Sequence, residues 1–164
     1  MILYLVRHGI AVDRTDPKSP AEAARPLTAR GVQKTREAAL GFSALGAKPE
    51  ILITSPYVRA AQTAEIFAEA LGFSPEKIRV SEALKPAQNP AEILKDISHL
   101  KAKEVALFGH APHLDMLIAH LAGSRGPFTE LKKAGVACLE QASPHSRWTL
   151  LWLLTPKFLR KFES

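Results

Sequence analysis

Positions 2–6, Ile-Leu-Tyr-Leu-Val, form an unbroken apolar run that stops on Arg7-His8-Gly9. A run of this length with no polar alternation is the pattern of a strand buried on both faces of a sheet, which requires covering layers on both sides. Gly9 lets the backbone turn sharply and lets a ligand approach it closely. The run therefore delivers a guanidinium and an imidazole to the end of a strand. What that pair can do depends on what else the chain brings to the same edge.

Residues 10–27 read as a Pro-containing polar loop, too long for a simple connection. Thr28 is an N-cap for a helix with Val32, Thr35, Ala39, Phe42 and Leu45 on one face, stopped by Gly46. Residues 51–54 are a short buried strand. Ser55-Pro56 then reads as a capping serine followed by proline in the first turn, opening a helix that turns Val58, Ala61, Phe67 and Leu71 inward and ends at Gly72. Residues 78–84 read as a strand, and Asn89-Pro90 starts a helix carrying Ile93, Leu94, Ile97 and Leu100. A strong strand at 105–108 ends on Gly109-His110, and Pro112 opens a helix with Leu114, Leu117, Ile118 and Leu121. Two closing strands, 136–140 and 148–154, flank a turn around Ser143-Pro144. The tail, 156–164, reads as a short basic amphipathic helix whose Phe158, Leu159 and Phe162 dock on the core.

No repeat or linker interrupts this order, so residues 1–164 are expected to form one domain. The alternation predicts an α/β fold, a three-layer α/β/α sandwich with a mainly parallel central sheet. In such sheets ligands lie outside the carboxyl ends of the strands. Arg7 and His8 follow the first strand, Arg59 lies about one turn into the helix after the second, and His110 follows the strand at 105–108. Two arginines, two histidines and two helix N-termini at one edge make an anion site, and planar guanidinium forks suit phosphate oxygens.

Composition narrows the partners. The 22 Lys and Arg against 16 Asp and Glu leave a formal charge of +6, which favours anions in general. The basic residues are scattered, few aromatics are interleaved with them, and no recognition motif is present, so nucleic acid is not the expected partner. The single cysteine, Cys138, excludes an internal disulfide, lies in an apolar stretch that reads as core, and suits a reducing, cytoplasmic setting. No signal peptide is expected, and no apolar run reaches the length of a membrane span.

The residue types also limit the chemistry. The chain has no Gly-rich Lys-Ser/Thr loop, no arginine at a phosphate-loop spacing after Cys138, and no Asp-rich metal motif. The remaining nucleophile is an imidazole. His8 fits, because neighbouring positive charge disfavours imidazolium and a hydrogen bond from its other ring nitrogen to a nearby backbone carbonyl would fix the tautomer. Arg7, Arg59 and His110 would then hold the phosphoryl oxygens. His113 and His120, one and about three turns beyond His110, offer a zinc site only with a further ligand that the sequence does not supply, and otherwise read as ordinary helix positions.

Leu-Val-Arg-His-Gly near the N-terminus, Ser-Pro-x-x-Arg-Ala-x-Gln-Thr at 55–63 and Gly-His at 109–110, in that order, resemble the histidine phosphatase superfamily. The resemblance implies a phosphohistidine intermediate on His8, a phosphate pocket completed by Arg7, Arg59 and His110, and no metal or cofactor. Arg25-Pro-Leu-Thr-x-x-Gly31 and Lys132-Lys133-Ala-Gly135 are most similar to SixA-type phosphohistidine phosphatases. That likeness implies a phosphohistidine-bearing partner protein, such as a phosphotransfer domain or phosphocarrier. It also implies that Arg25 reaches the phosphate, although as a loop residue Arg25 reads equally as a solvated arginine. Ester-cleaving members use a carboxylate as proton donor; Glu82, just after the third strand, is the candidate by position, against the reading of a surface glutamate. A small-molecule phosphomonoesterase with the same four residues, and a non-catalytic anion or nucleic-acid binder, are the alternative functions.

Overall fold

The computed structural model describes residues 1–144 and 146–162. Its first strand, β1 (Ile2–Arg7), is buried on both faces, with Tyr4 and Val6 in one apolar cluster and Leu3 and Leu5 in the other. The same division runs through β4 (Glu104–Gly109), where Ala106 and Phe108 face one way and Val105 and Leu107 the other. Continuous apolar runs were the signal for these strands, and central positions explain them. With β2 (Ile51–Thr54), β3 (Arg79–Val80), β5 (Val136–Glu140) and β6 (Thr149–Leu154), they form one sheet in the order β3-β2-β4-β1-β5-β6. The first four are mutually parallel; β5 runs antiparallel to β1, and β6 antiparallel to β5.

Helices α1 (Ala29–Ala44) and α2 (Val58–Leu71) cover the Tyr4 face, whereas α3 (Ile93–Ile97) and α4 (His113–Leu121) cover the Leu5 face. The expected three layers are therefore present. Thr28 caps α1, its side chain accepting the Gly31 N–H at 2.9 Å. Gly72 ends α2 in the left-handed region at φ 65°, where glycine carries no Cβ penalty.

The inward faces of α1 and α2 are built from smaller residues than the apolar pattern suggested. Helix α1 buries Thr35, Ala38, Ala39 and Phe42, while Leu45 is exposed; α2 buries Ala60, Thr63, Ala64, Phe67 and Ala68, while Val58, Ala61 and Leu71 are only half-buried. Small side chains let the two helices close on the sheet. The helix after Ser55 also starts later than expected. The Ser55 N–H donates to Phe108 O at 2.9 Å, extending the sheet ladder, and α2 begins at Val58 without a side-chain cap.

Three further expectations are corrected. The strand at 78–84 shrinks to Arg79–Val80, because Ser81 caps a 3₁₀ turn at Glu82–Leu84 that carries Leu84 into the core. The helix after Asn89 is a 3₁₀ turn followed by the five residues of α3, and Leu100 lies beyond it. In the tail, α5 (Pro156–Leu159) and a 3₁₀ turn at Arg160–Phe162 dock through buried Leu159, but Phe158 and Phe162 are exposed and pack edge to face on each other. Residues 163–164 of that tail lie outside the described residues. Cys138 is a buried core thiol, as expected, and burial pushes it up to about 12.

Candidate active site

Because β1, β2 and β4 are parallel, their carboxyl ends share one edge, and Arg7, His8, Arg59 and His110 meet there. The helices that follow the neighbouring strands β1 and β4 lie on opposite faces of the sheet, which opens a crevice between them. A cleft of about 670 Å³ occupies it, lined by Arg7, His8, Arg25, Arg59, His110 and Lys133, with the β1–α1 loop contributing one wall.

His8 is held by its own turn. Its Nδ1 lies 2.7 Å from Gly9 O, a contact that requires Nδ1 to carry the proton, so Nε2 keeps its lone pair. The Nε–H of Arg59 donates to that Nε2 at 3.3 Å. Burial lowers the imidazole to about 3; the Gly9 carbonyl opposes the shift, and the charges of Arg59, Arg7 and Lys133 assist it. The neighbouring cations thus act in the expected direction, but desolvation leads. A neutral ring with an available Nε2 is the nucleophilic form.

Arg59 is buried, and all three of its side-chain nitrogens are engaged: Nε with His8, Nη1 with Glu22 O at 2.8 Å, and Nη2 with Glu22 Oε1 at 2.9 Å. Arg25 is drawn into the same cluster, donating Nε–H to Glu22 Oε2 and Nη2–H to Glu22 Oε1, both at 2.8 Å, and Nη1–H to Val12 O at 2.5 Å. It is not a free solvated arginine. Arg7 reaches the cleft from β1, with Nη1–H donating to Leu131 O at 2.8 Å. Burial lowers the pKa of both Arg7 and Arg59 from the ordinary guanidinium value, and nearby carboxylates counteract this.

His110 sits beside His8, with ring centroids 5.2 Å apart. Its Nε2 is 2.9 Å from Ser55 Oγ, which also accepts the Tyr57 N–H at 3.3 Å. The other ring nitrogen, Nδ1, is buried and has no partner among the described residues. Burial first, then His8 and Arg59, lower this imidazole to about 2.

Glu82 is not brought to the cleft. The 3₁₀ turn that buries Leu84 sends the Glu82 side chain outward, where it is 70 % exposed and pairs with Lys85. The carboxylates that do line the cleft are Asp13 and Glu22. His113 is buried on α4 and His120 exposed. Among the described residues no group of three or more His, Cys, Asp or Glu is placed to hold a metal ion, and no helix is long and apolar enough to cross a membrane.

Residues 3–89 match the histidine phosphatase superfamily (branch 1). The chain belongs to that superfamily. An uncharacterised protein of Picosynechococcus is 36% identical over 97% of this chain and 99% of its own. Phosphohistidine phosphatase SixA of Escherichia coli is 26% identical over 92% of this chain and 93% of its own. Among solved structures, the protein histidine phosphatase SixA complexed with tungstate superposes with a TM-score of 0.84 at 22% identity, covering 96% of this chain and 98% of that one. A phosphoserine phosphatase of Entamoeba histolytica in complex with phosphoserine gives 0.75 at 16% identity, covering 96% and 98%. At these identities the two structures establish the fold.

In this histidine phosphatase the remaining motif residues act as struts. Thr63 Oγ1 accepts the Gly9 N–H at 3.0 Å and donates to Arg59 O at 2.7 Å, tying the His8 turn to the helix that carries Arg59. Gln62 Oε1 accepts the Leu27 N–H at 2.7 Å and fixes the loop beside Arg25. A Cβ on Gly9 would lie 2.3 Å from Thr35 Oγ1, so α1 packs directly on the turn. The late Lys132-Lys133-Ala134-Gly135 segment closes the end of β1: the Ala134 N–H donates to Arg7 O at 3.0 Å, and Ala134 adopts φ 58°. Buried Asp115 accepts from Thr129 Oγ1 and Leu131 N and so holds the carbonyl that positions Arg7. The sequence reading missed Glu22, Ser55 and Asp115 as site components. Ser55 could have been found from its place in the Ser-Pro-x-x-Arg motif; Glu22 and Asp115 carried no signal of their own.

Proposed function

We propose that this phosphatase removes the phosphoryl group from phosphohistidine on a partner protein, through a covalent phosphohistidine on His8. In the first step His8 Nε2 attacks phosphorus, the bond to the leaving group breaks, and its electron pair departs with the leaving group. The ring gains positive charge, which the Nδ1–H contact to the Gly9 carbonyl supports. Arg7, Arg59, Arg25 and the His110 ring meet the phosphoryl oxygens. Arg59 is suited to this, since its Nε–H loses its acceptor once the Nε2 lone pair is committed to phosphorus. Water then displaces the phosphoryl group from Nε2 and releases orthophosphate.

The observation that carries the substrate reading is that both carboxylates lining the cleft are engaged as hydrogen-bond acceptors, Asp13 from Thr15 and Glu22 from Arg25 and Arg59. Asp13 is held below the usual carboxylate range by its hydrogen bonds with Thr15, and Glu22 by Arg25 and Arg59. His8 and His110 are neutral. Among the described lining residues no carboxyl or imidazolium therefore carries a proton to give an alkoxide. A phosphoryl group on imidazole needs far less help, because a ring protonated on its other nitrogen leaves as neutral imidazole. The partner would be a phosphotransfer domain or phosphocarrier, and residues 1–164 would act as a single domain in a reducing, cytoplasmic setting that suits the free thiol of Cys138.

The test compares a histidine-phosphorylated carrier protein with phosphoserine and a sugar phosphate. General acid catalysis is typically worth about 10² or more, so kcat/KM for the phosphohistidine protein should exceed that for the esters by about a hundredfold. Sugar-phosphate turnover above that of phosphohistidine would favour a small-molecule phosphomonoesterase.

A further inference from the structure

Glu22 stands where an anionic ligand of the arginines would stand. Its Oε1 is 2.9 Å from Arg59 Nη2 and 2.8 Å from Arg25 Nη2, its Oε2 is 2.8 Å from Arg25 Nε, and its backbone oxygen is 2.8 Å from Arg59 Nη1. The two ends of this cluster differ in freedom. The Arg59 side chain is 4 % exposed and fixed between His8 and the loop, whereas the Glu22 side chain is 52 % exposed on a three-residue 3₁₀ turn at the rim. Asp13, the other carboxylate of the cleft, is tied to Thr15 and makes no contact with Arg59.

A phosphoryl oxygen approaching Arg59 Nη2 meets Oε1 already in place. Because Arg59 cannot retreat, Glu22 must yield that contact. It can do so while keeping Arg25, which leaves a full negative charge at the rim beside the bound phosphoryl group.

Building on the phosphatase reading above, we propose that Glu22 is a specificity-determining residue. As an internal anion it disfavours phosphate compounds whose leaving group carries its own negative charge. It admits those whose leaving group is neutral or cationic, with imidazole and simple amines as the chemical class. It also weakens the hold on free orthophosphate. The predicted discrimination is about tenfold, the scale of a like-charge contact in a partly solvated site, and it is screened by salt.

Glu22→Gln is the test, because an amide oxygen still accepts from an arginine while the charge is removed. Phosphoramidate, with an amine leaving group, and phosphoglycolate, with a carboxylate beside the ester, are the paired substrates; orthophosphate and phosphoglycolate binding by calorimetry provides a readout independent of turnover. In the variant, the kcat/KM ratio of phosphoglycolate to phosphoramidate should rise about tenfold, orthophosphate should bind about tenfold more tightly, and both gains should shrink in high salt. An unchanged ratio and unchanged orthophosphate affinity would overturn the inference. So would an equal loss on both substrates with no tighter phosphate, which would make Glu22 a mere support for Arg59. If the wild type turned over neither compound and released no orthophosphate from a histidine-phosphorylated carrier protein either, the phosphatase reading would fail by itself, and the calorimetric comparison would still decide the role of Glu22.

Discussion

The Nε–H of Arg59 points at Nε2 of His8 from 3.3 Å, across fifty-one positions of sequence. The same guanidinium carries two more hydrogen bonds, so its plane and not only its charge is fixed. Arg59→Lys should therefore rescue poorly: an ammonium supplies a point charge but no fork. Steady-state rates of Arg59→Lys and Arg59→Ala should both fall roughly a hundredfold or more, the scale of a lost transition-state charge contact. Full activity in the lysine variant would contradict this geometry.

The histidines set the pH response. His8 falls from 6.5 to about 3 in the folded protein, and His110 shifts in the same direction. Between those values the unfolded chain binds protons that the folded chain does not. Stability is then complete above about pH 6.5 and is lost as pH falls towards 3, at about 1.4 kcal/mol per pH unit for each such histidine. Urea unfolding of the wild type should weaken more steeply below pH 6.5 than that of His8→Asn. Parallel curves would show that His8 is not held neutral by the fold.

Much of this arrangement was legible in the sequence, for identifiable reasons. The apolar runs of β1, β2, β4 and β5 are continuous because these strands are covered on both faces, and parallel pairing then carries Arg7, His8, Arg59 and His110 to one edge. The Gly9 carbonyl is local to His8 and could be anticipated as its tautomer partner. Long-range polar contacts could not: Glu22 reaches Arg59 through a loop whose path no periodicity encodes, and Ser55 resembles a helix cap until the sheet ladder is seen to continue through its N–H. Glu82 follows a strand in sequence, but that strand ends two residues earlier and the chain turns away.

Gly41 joins the tail to the sandwich. A Cβ there would stand 2.0 Å from Leu159 O, a backbone atom that cannot swing aside. Glycine to alanine within an exposed helix normally gains about 1 kcal/mol, but overpacking of this kind costs about 1–3 kcal/mol. Gly41→Ala should lower the thermal midpoint and release α5 while leaving phosphatase activity at permissive temperature. Stabilisation by the alanine would show that the tail does not dock as described.

Glu82→Gln should leave turnover of both phosphohistidine and ester substrates within about twofold, as expected for a surface side chain paired only with Lys85. A selective loss on esters would restore Glu82 as a proton donor and would require its turn to move towards the cleft.

The central claim is that His8 Nε2 becomes covalently phosphorylated. Mixing the enzyme with a radiolabelled phosphohistidine protein, quenching rapidly without acid and mapping the label tests it directly. The expected result is label on His8 Nε2, absent from a folded His8→Ala variant that no longer turns over. Label on another residue, or orthophosphate release by His8→Ala at the wild-type rate, would contradict the account.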